Sequence, residues 1–203
     1  MKILAIGRNY SEHAKELNNP VPTEPVVFMK PDTALLREGK AFYHPEFSND
    51  IHYEVELVVK LGKEGKHISE KFAKNYIDSI GIGIDFTARD LQENCKQKGL
   101  PWEIAKAFDH SAPIGNFINI NEIPNINTID FSLKKNDEIV QQGNSSEMLF
   151  NFEQIISYLS KRFTLKKGDL IFTGTPAGVG KINIGDKLEA FIGSESMLRL
   201  EIK

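Results

Sequence analysis

The segment "HYEVELVV", which begins at His52, reads as a β-strand interrupted by two carboxylates. Side chains alternate faces along a strand, so His52, Glu54 and Glu56 share one face, while Tyr53, Val55, Leu57 and Val59 share the other, apolar one. Further along, "IGIGIDFTARD" puts Asp85 directly after an apolar, glycine-spaced run. Glycine inside a strand marks the close approach of a ligand or of another backbone. An aspartate at the end of a buried strand needs partners, because an unpaired buried charge is costly. Three carboxylates turned into one cavity repel one another unless a cation sits among them, and hard oxygen donors select Mg²⁺, Mn²⁺ or Ca²⁺. Two ligands at i and i+2, with a third from another strand, fill one face of an octahedron and leave the rest for water and substrate. The competing reading is an outer sheet face wetted by water, with Glu54 and Glu56 as surface charge.

Other groups carry chemistry only in the right company. His13 and Glu16, three residues apart on a short helix, share a helix face. They form either a surface pair or an imidazole oriented by a carboxylate to take a proton from water, with Glu12 as an alternative partner. Lys106 in "EIAKAFDH" is, by itself, a surface lysine whose stem covers core. Arg89 and Gln92 fall one and two turns after Asp85 if a helix starts there; alone they amount to an ion pair and a solvated amide. "TGTPAGVGK" fails the phosphate-loop pattern, since Thr175 stands at a required glycine and Ile182 replaces the serine or threonine. A loop of this kind can still present backbone N–H groups to a carboxylate. Asp109 and His110 lack a nucleophilic serine motif, so His110 reads as structural.

The whole chain limits what these residues can be part of. Its 203 residues suffice for one domain with a real core. A net charge of −3 gives no basic field for nucleic acid. The single cysteine, Cys95, allows no internal disulfide and sits among polar neighbours as an inert thiol. No run approaches the ~18–20 apolar residues of a membrane span, and the opening apolar run is too short for a signal peptide, so the expected location is cytoplasmic.

Short strands are expected at "MKILAIG", "VVFMKP" and the quoted segment, with more in the last forty residues. "FSLKKNDEIVQQG" predicts a hairpin turning near Asn136 and Asp137. Helices are expected after an N-cap at Ser11, across "SEKFAKNYIDSI" with Phe72, Tyr76 and Ile80 on one side, and after Asp85 as far as Gly99. The strongest amphipathic helix should open near Ser145 or Ser146. These elements do not alternate as βαβ units, which argues against a doubly wound sheet. They predict one mainly-β (α+β) domain over 1–203, a mixed sandwich, roll or barrel-like fold with a few outer helices.

"GRNYSEHAKEL", "HYEVELVVKLG", "GIDFTARDLQ", "KGLPWEIAKAFD" and "IFTGTPAGVG", in this order and at this spacing, resemble the fumarylacetoacetate hydrolase family. The likeness is to its short branch of acylpyruvate hydrolases and oxaloacetate decarboxylases, and it covers nearly the whole chain. The resemblance implies the C-terminal-domain fold of that family, a homodimer, and a small 2-oxo acid substrate. It assigns Mg²⁺ or Mn²⁺ to Glu54, Glu56 and Asp85. It places His13 and Glu16 on a lid-like segment, about 8–20, that activates water, and turns Lys106 into the site to polarise a carbonyl. It gives Arg89, Gln92 and the Thr175 region to the substrate, with Lys30 as a weaker candidate. The implied reaction breaks the bond between C3 and C4 of a 2-oxo acid, by hydrolysis or decarboxylation. The rivals are an isomerase or tautomerase of 2-oxo or 2-hydroxy-dienoate diacids, and a catalytically silent binding module.

Overall fold

The computed structural model describes residues 1–16, 21–37 and 40–203, with residues 13–15 described by their backbone. In chain order the strands are β1 (Ile3–Gly7), β2 (Val26–Lys30), β3 (Leu35–Arg37), β4 (Ile51–Tyr53), β5 (Val55–Leu61), β6 (Ile77–Ile84) and β7 (Thr87–Ala88), then β8 (Ala112–Asn119), β9 (Asp130–Lys135), β10 (Glu138–Asn144), β11 (Leu170–Phe172), β12 (Gly180–Lys181), β13 (Lys187–Ile192) and β14 (Glu195–Glu201). The α-helices are α1 (Ser11–Glu16), α2 (Glu70–Ala73), α3 (Arg89–Lys98), α4 (Glu103–Lys106) and α5 (Phe152–Arg162).

The strands form a seven-stranded sheet in the order β2-β1-β11-β5-β6-β8-β3, a four-stranded sheet β10-β9-β13-β14, and a small sheet β12-β4-β7. Most pairs are antiparallel, but β1 with β11 and β3 with β8 run parallel. The fold is thus mostly β, a mixed and curled sheet with helices outside, as the sequence predicts.

The central strand β5 explains why its carboxylates are not solvated. Its odd residues Val55, Leu57, Val59 and Leu61 enter the large core shared with α5 and the four-stranded sheet. Its even face carries Val58, which belongs to a second cluster with Ile3, Ala5, Ala112, Leu170 and Phe172. Both faces are covered, so Glu54 and Glu56 cannot lie on a wetted outer face. The single strand expected at "HYEVELVV" is in fact broken at Glu54. Here β4 leaves to pair with β7 and β12, and His52 goes with it to face Asp50.

Local signals held where they specify a turn. Asn136 and Asp137 adopt φ of 51° and 68°, the left-handed pair that closes a two-residue hairpin. Gly99, at φ 64°, ends α3. Other expectations need correction. Ser11 is the first residue of α1 rather than the cap before it. The helix expected over "SEKFAKNYIDSI" stops after one turn, followed by a 3₁₀ turn at Lys74–Tyr76 and then β6. The β-branched Ile77, Ile80, Ile82 and Ile84 gain ladder bonds and burial between β5 and β8, which outweigh helical spacing. Phe72 is left 52% exposed. The strong amphipathic helix opens later than expected. A 3₁₀ turn occupies Ser145–Glu147, and the backbone of Leu149 then donates to Asn9 O, keeping this stretch extended. Asn151 and Gln154 finally start α5 with a reciprocal capping box.

The glycines before Asp85 admit backbone rather than ligand. A Cβ on Gly83 would stand 2.8 Å from both the Pro113 carbonyl oxygen and the Phe172 ring. Replacing Gly83 with alanine should overpack this crossing at a cost of about 2 kcal/mol, lowering the melting temperature by about 4–8 °C. A calorimetric scan showing no loss would mean that β8 can step aside.

Candidate active site

Glu54, Glu56 and Asp85 come together where β4, β5 and β6 meet. Glu54 sits in the break between β4 and β5, and its carbonyl accepts the Asp85 N–H at 2.8 Å. The Val55 N–H beside it is bound at 2.9 Å by the side-chain oxygen of buried Gln141, reaching across from β10. The three acidic side chains are 5%, 2% and 1% exposed, and each offers a carboxylate oxygen within 4.8 Å of the others. They open into a narrow cleft with about 390 Å³ of empty space, open solvent included. The cleft is also walled by Arg8, Arg89, Gln92, Lys96, Trp102, Lys106 and Thr175.

Lys106 is buried, contrary to the surface lysine its sequence context suggests. Its ammonium donates to Glu54 Oε2 at 2.8 Å, Asp85 Oδ2 at 2.6 Å and Thr87 Oγ1 at 2.6 Å. Burial alone would lower its pKa, but the charges of Asp85 and Glu54 outweigh burial and raise it. Lys106 is therefore a fixed cation. Lys30 lies behind Asp85, with Nζ 2.8 Å from Oδ1. Its ammonium also donates to Ser111 and to the Lys106 carbonyl. The contact with Asp85 is a close, fully buried ion pair. Burial pulls the Lys30 pKa down, and Asp85 only partly opposes this. The two lysines shift in opposite directions because Lys106 touches two carboxylates while Lys30 touches one and is repelled by Lys106.

Glu56 has the least compensation. Burial pushes its carboxyl well above the usual value of 4.5, and the Asp85 and Glu54 charges push it further. Its opposing partner is the Gly174 N–H, which donates to Oε2 at 2.7 Å. Gly174 adopts φ 101°, a conformation that L side chains rarely take. The donor set suits a hard divalent cation: three buried carboxylates offering oxygens within 4.8 Å of one another, one of them with no ion pair among the described residues.

The remaining expected residues divide by position. Arg89 joins the site, donating to Glu54 Oε1 at 2.5 Å and to Gln92 Oε1 at 2.7 Å. The helix carrying both begins at Arg89, not directly after Asp85, because β7 intervenes to pair with β4. Thr175 lies on the cleft wall, its hydroxyl accepting from Gln141 Nε2 at 2.9 Å. Lys30 is not on that wall. Glu16 reaches the same loop, its Oε1 accepting the Gly178 N–H at 3.0 Å. The side chain of His13 and residues 17–20 of the lid-like segment lie outside the described residues. His110 and Asp109 are exposed and do not line this cleft, and Cys95 is buried in α3.

The sequence analysis passed over Arg8, Lys96, Trp102, Thr87, Gln141 and Asn9. Lys96 was accessible from spacing, since Arg89, Gln92 and Lys96 stand at i, i+3 and i+7 on one helix face. Asn9 and Gln141 carry no local signal. Asn9 ties to segments 141 and 164 residues away, donating to Phe150 O and Thr173 O and accepting from the Phe150 N–H.

Comparison with known proteins matches residues 2–203 to the fumarylacetoacetate (FAA) hydrolase C-terminal family. The chain is 45% identical over 201 residues to mouse oxaloacetate tautomerase FAHD1, mitochondrial, covering 99% of this chain and 91% of that protein. It is 40% identical over 203 residues to the mitochondrial oxaloacetate decarboxylase of Dictyostelium discoideum, covering 99% and 93%. Both relatives are described as mitochondrial, a compartment this chain's composition did not suggest. The crystal structure of fumarylpyruvate hydrolase from Pseudomonas aeruginosa, in complex with Mn²⁺ and pyruvate, superposes with a TM-score of 0.94 at 34% identity, covering 100% of this chain and 89% of that one. Among the described residues no helix is long and apolar enough to cross a membrane. With residues 2–203 matched and its fold shared, the chain belongs to the fumarylacetoacetate hydrolase family.

Proposed function

We propose that residues 1–203 act as one catalytic unit that uses a divalent cation to break the C3–C4 bond of short 2-oxo acids, decarboxylating oxaloacetate or hydrolysing acylpyruvates. The observation that carries this reading is the buried triad of Glu54, Glu56 and Asp85, opening onto a cleft walled by hydrogen-bonding side chains. The triad would hold Mg²⁺ or Mn²⁺, both of which suit an all-oxygen site. The ion supplies Lewis acidity, favouring negative charge on the 2-oxo oxygen as the C3–C4 pair is released.

The chain's own residues supply the rest. Arg89, Gln92 and the Thr175 hydroxyl orient the carboxylate and 2-oxo oxygens of the substrate. Lys106, held protonated, offers hydrogen bonds to oxygen at C4 once Glu54 and Asp85 turn to a cation. Lys30 backs Asp85 instead of touching substrate. In hydrolysis His13, positioned by Glu16, takes a proton from water as the water oxygen bonds to C4. The C3–C4 bond then breaks and C3 gains a proton, giving pyruvate and a carboxylic acid. In decarboxylation CO₂ departs and C3 is protonated, with no attacking water.

A second reading is favoured by the name of the mouse relative: keto–enol interconversion of oxaloacetate. There a proton moves between C3 and the 2-oxo oxygen and no carbon–carbon bond breaks. Oxaloacetate and acetylpyruvate assayed with Mg²⁺ and with EDTA separate the readings. Pyruvate formed only with the metal supports cleavage, loss of enol absorbance without pyruvate supports the tautomerase, and neither outcome leaves a binding module.

Glu56→Gln should weaken Mg²⁺ binding by about 100-fold or more in calorimetry, since even groups that merely support a ligand are worth 10–100-fold. It should also change the pH response of the metal-free protein. A carboxyl raised above its unfolded pKa contributes stability that is fully present below about 4.5 and lost as pH rises through its native pKa. In EDTA the melting temperature of the variant relative to the parent should therefore climb as pH rises above 4.5. A constant difference would show that Glu56 is not the buried charge.

Lys106→Met should separate chemistry from metal binding. Turnover should fall by about 10²–10³, while Mg²⁺ affinity holds or improves, because a competing ammonium has left the carboxylates. Weaker metal binding would make Lys106 a structural prop of the triad.

His13→Ala should cut acylpyruvate hydrolysis by about 10²–10⁴ yet leave oxaloacetate decarboxylation within about tenfold. Equal losses on the two substrates would remove His13 from water activation.

A further inference from the structure

We propose that Arg8 and Lys96 form a subsite for a second carboxylate, so that the cleft is built for a short 2-oxo diacid rather than for a neutral acyl group; this rests on the 2-oxo acid reading above. Both side chains wall the same cleft as the acidic triad. Arg8 leaves the end of β1, and Lys96 extends the face of α3 that already presents Arg89 and Gln92.

Their partners distinguish them from the other cations of the cleft. Arg89 is committed to Glu54 and Gln92, Lys106 to Glu54, Asp85 and Thr87, and Lys30 to Asp85 and Ser111. Among the described residues the side chains of Arg8 and Lys96 make no ion pair and no hydrogen bond. The Arg8 guanidinium carbon lies 5.9 Å from the centre of the Trp102 ring, which in turn packs against Phe28 with ring centres 6.1 Å apart. An aromatic wall gives the guanidinium a fixed place while leaving its N–H fork free to bind a carboxylate.

Two further features point the same way. Arg8 has φ 61°, an uncommon backbone for a residue with a side chain. It is kept there by Asn9, whose side chain is tied to Thr173 and Phe150 and whose carbonyl binds the Leu149 N–H. Strain of this kind persists where the surroundings over-determine it, and such positions cluster at ligand sites. Lys96 is half-buried, its pKa drawn down first by burial and then by Arg89 and Arg8, so the positive groups feel one another with too little negative charge between them. A carboxylate bound at this point relieves that repulsion.

Paired ligands with the same 2-hydroxy acid head test the subsite without turnover. Malate carries a distal carboxylate and lactate does not. Calorimetry on the Mg²⁺-loaded protein should show malate binding at least ~10-fold tighter than lactate. The ratio should collapse toward one in Arg8→Gln/Lys96→Gln and recover in large part in Arg8→Lys with Lys96 intact. Melting curves of each variant confirm folding, and Lys96→Gln alone, on a helix surface, should lower the ratio by a smaller factor. No malate preference in the parent protein, or a preference that survives in the double variant, overturns the subsite. Its fate is separable from that of the reaction. Loss of malate preference in variants of a protein that never produces pyruvate would keep the subsite and discard the cleavage reading. Pyruvate production without malate preference would do the reverse.

Discussion

The structure is organised around one electrostatic constraint: three carboxylates held within 4.8 Å of one another where water hardly reaches. At an effective dielectric of about 20, each pair of full charges at that distance repels by about 3–4 kcal/mol, before any desolvation is counted. Such a cluster survives only if positive charge or a proton is shared among its members. Lys106, Arg89 and Lys30 supply charge to Glu54 and Asp85. Among the described residues Glu56 pairs with no cation and accepts a backbone N–H, and burial together with the Asp85 and Glu54 charges raises its pKa. A divalent ion held here would oppose that rise, so metal binding and the ionisation of Glu56 would be coupled.

The fold meets this constraint by tying distant segments to the triad. Glu54 and Asp85 are joined through the backbone at the point where β4 and β6 end. Gln141, from the four-stranded sheet, spans Val55 on one side of the site and Thr175 with Pro176 on the other. Thr173 donates to the Leu57 carbonyl, so the loop after β11 is pinned to the same strand that carries Glu56. Each tie satisfies a buried polar group that would otherwise cost about 1–3 kcal/mol. The same ties fix where the loop's N–H groups point.

What could be read in the sequence follows from how local each cause is. The i, i+2 spacing of Glu54 and Glu56 and the apolar run before Asp85 are local, and they made the three residues candidates that the family resemblance then joined as metal ligands. The hairpin at Asn136 and Asp137 and the stop at Gly99 are likewise properties of a few residues. The burial of the even face of β5 is not local, since Val58 meets Ile3, Leu170 and Phe172 from the two ends of the chain. Spacing alone therefore left a solvated face open. The segment after Ser69 misled for the same reason: its helical spacing is real, but two strand neighbours outbid it. Lys106 and Lys30 look like ordinary surface lysines until tertiary contacts bring carboxylates to them. Only the family resemblance placed Lys106 in the site, and nothing local distinguished Lys30 as a counter-ion from a substrate ligand.

The charges lining the cleft are partly paired and partly not. Glu54 and Asp85 are paired with Lys106, and Glu54 also with Arg89, while the side chains of Arg8 and Lys96 line the same cleft without an ion pair among the described residues. Without an added ion the triad and its paired cations offer an anionic ligand little free positive charge, and Arg8 and Lys96 must recruit it. A divalent ion held by the triad would add positive charge there, so that both parts of the cleft would favour anions. Affinity for an acid with charge at each end therefore depends on the ion far more steeply than affinity for a neutral ligand. Lys106 holds a particular place among these charges. Of the three cations paired with the triad among the described residues, Arg89 and Lys30 each meet one carboxylate, and Lys106 meets two, Glu54 and Asp85.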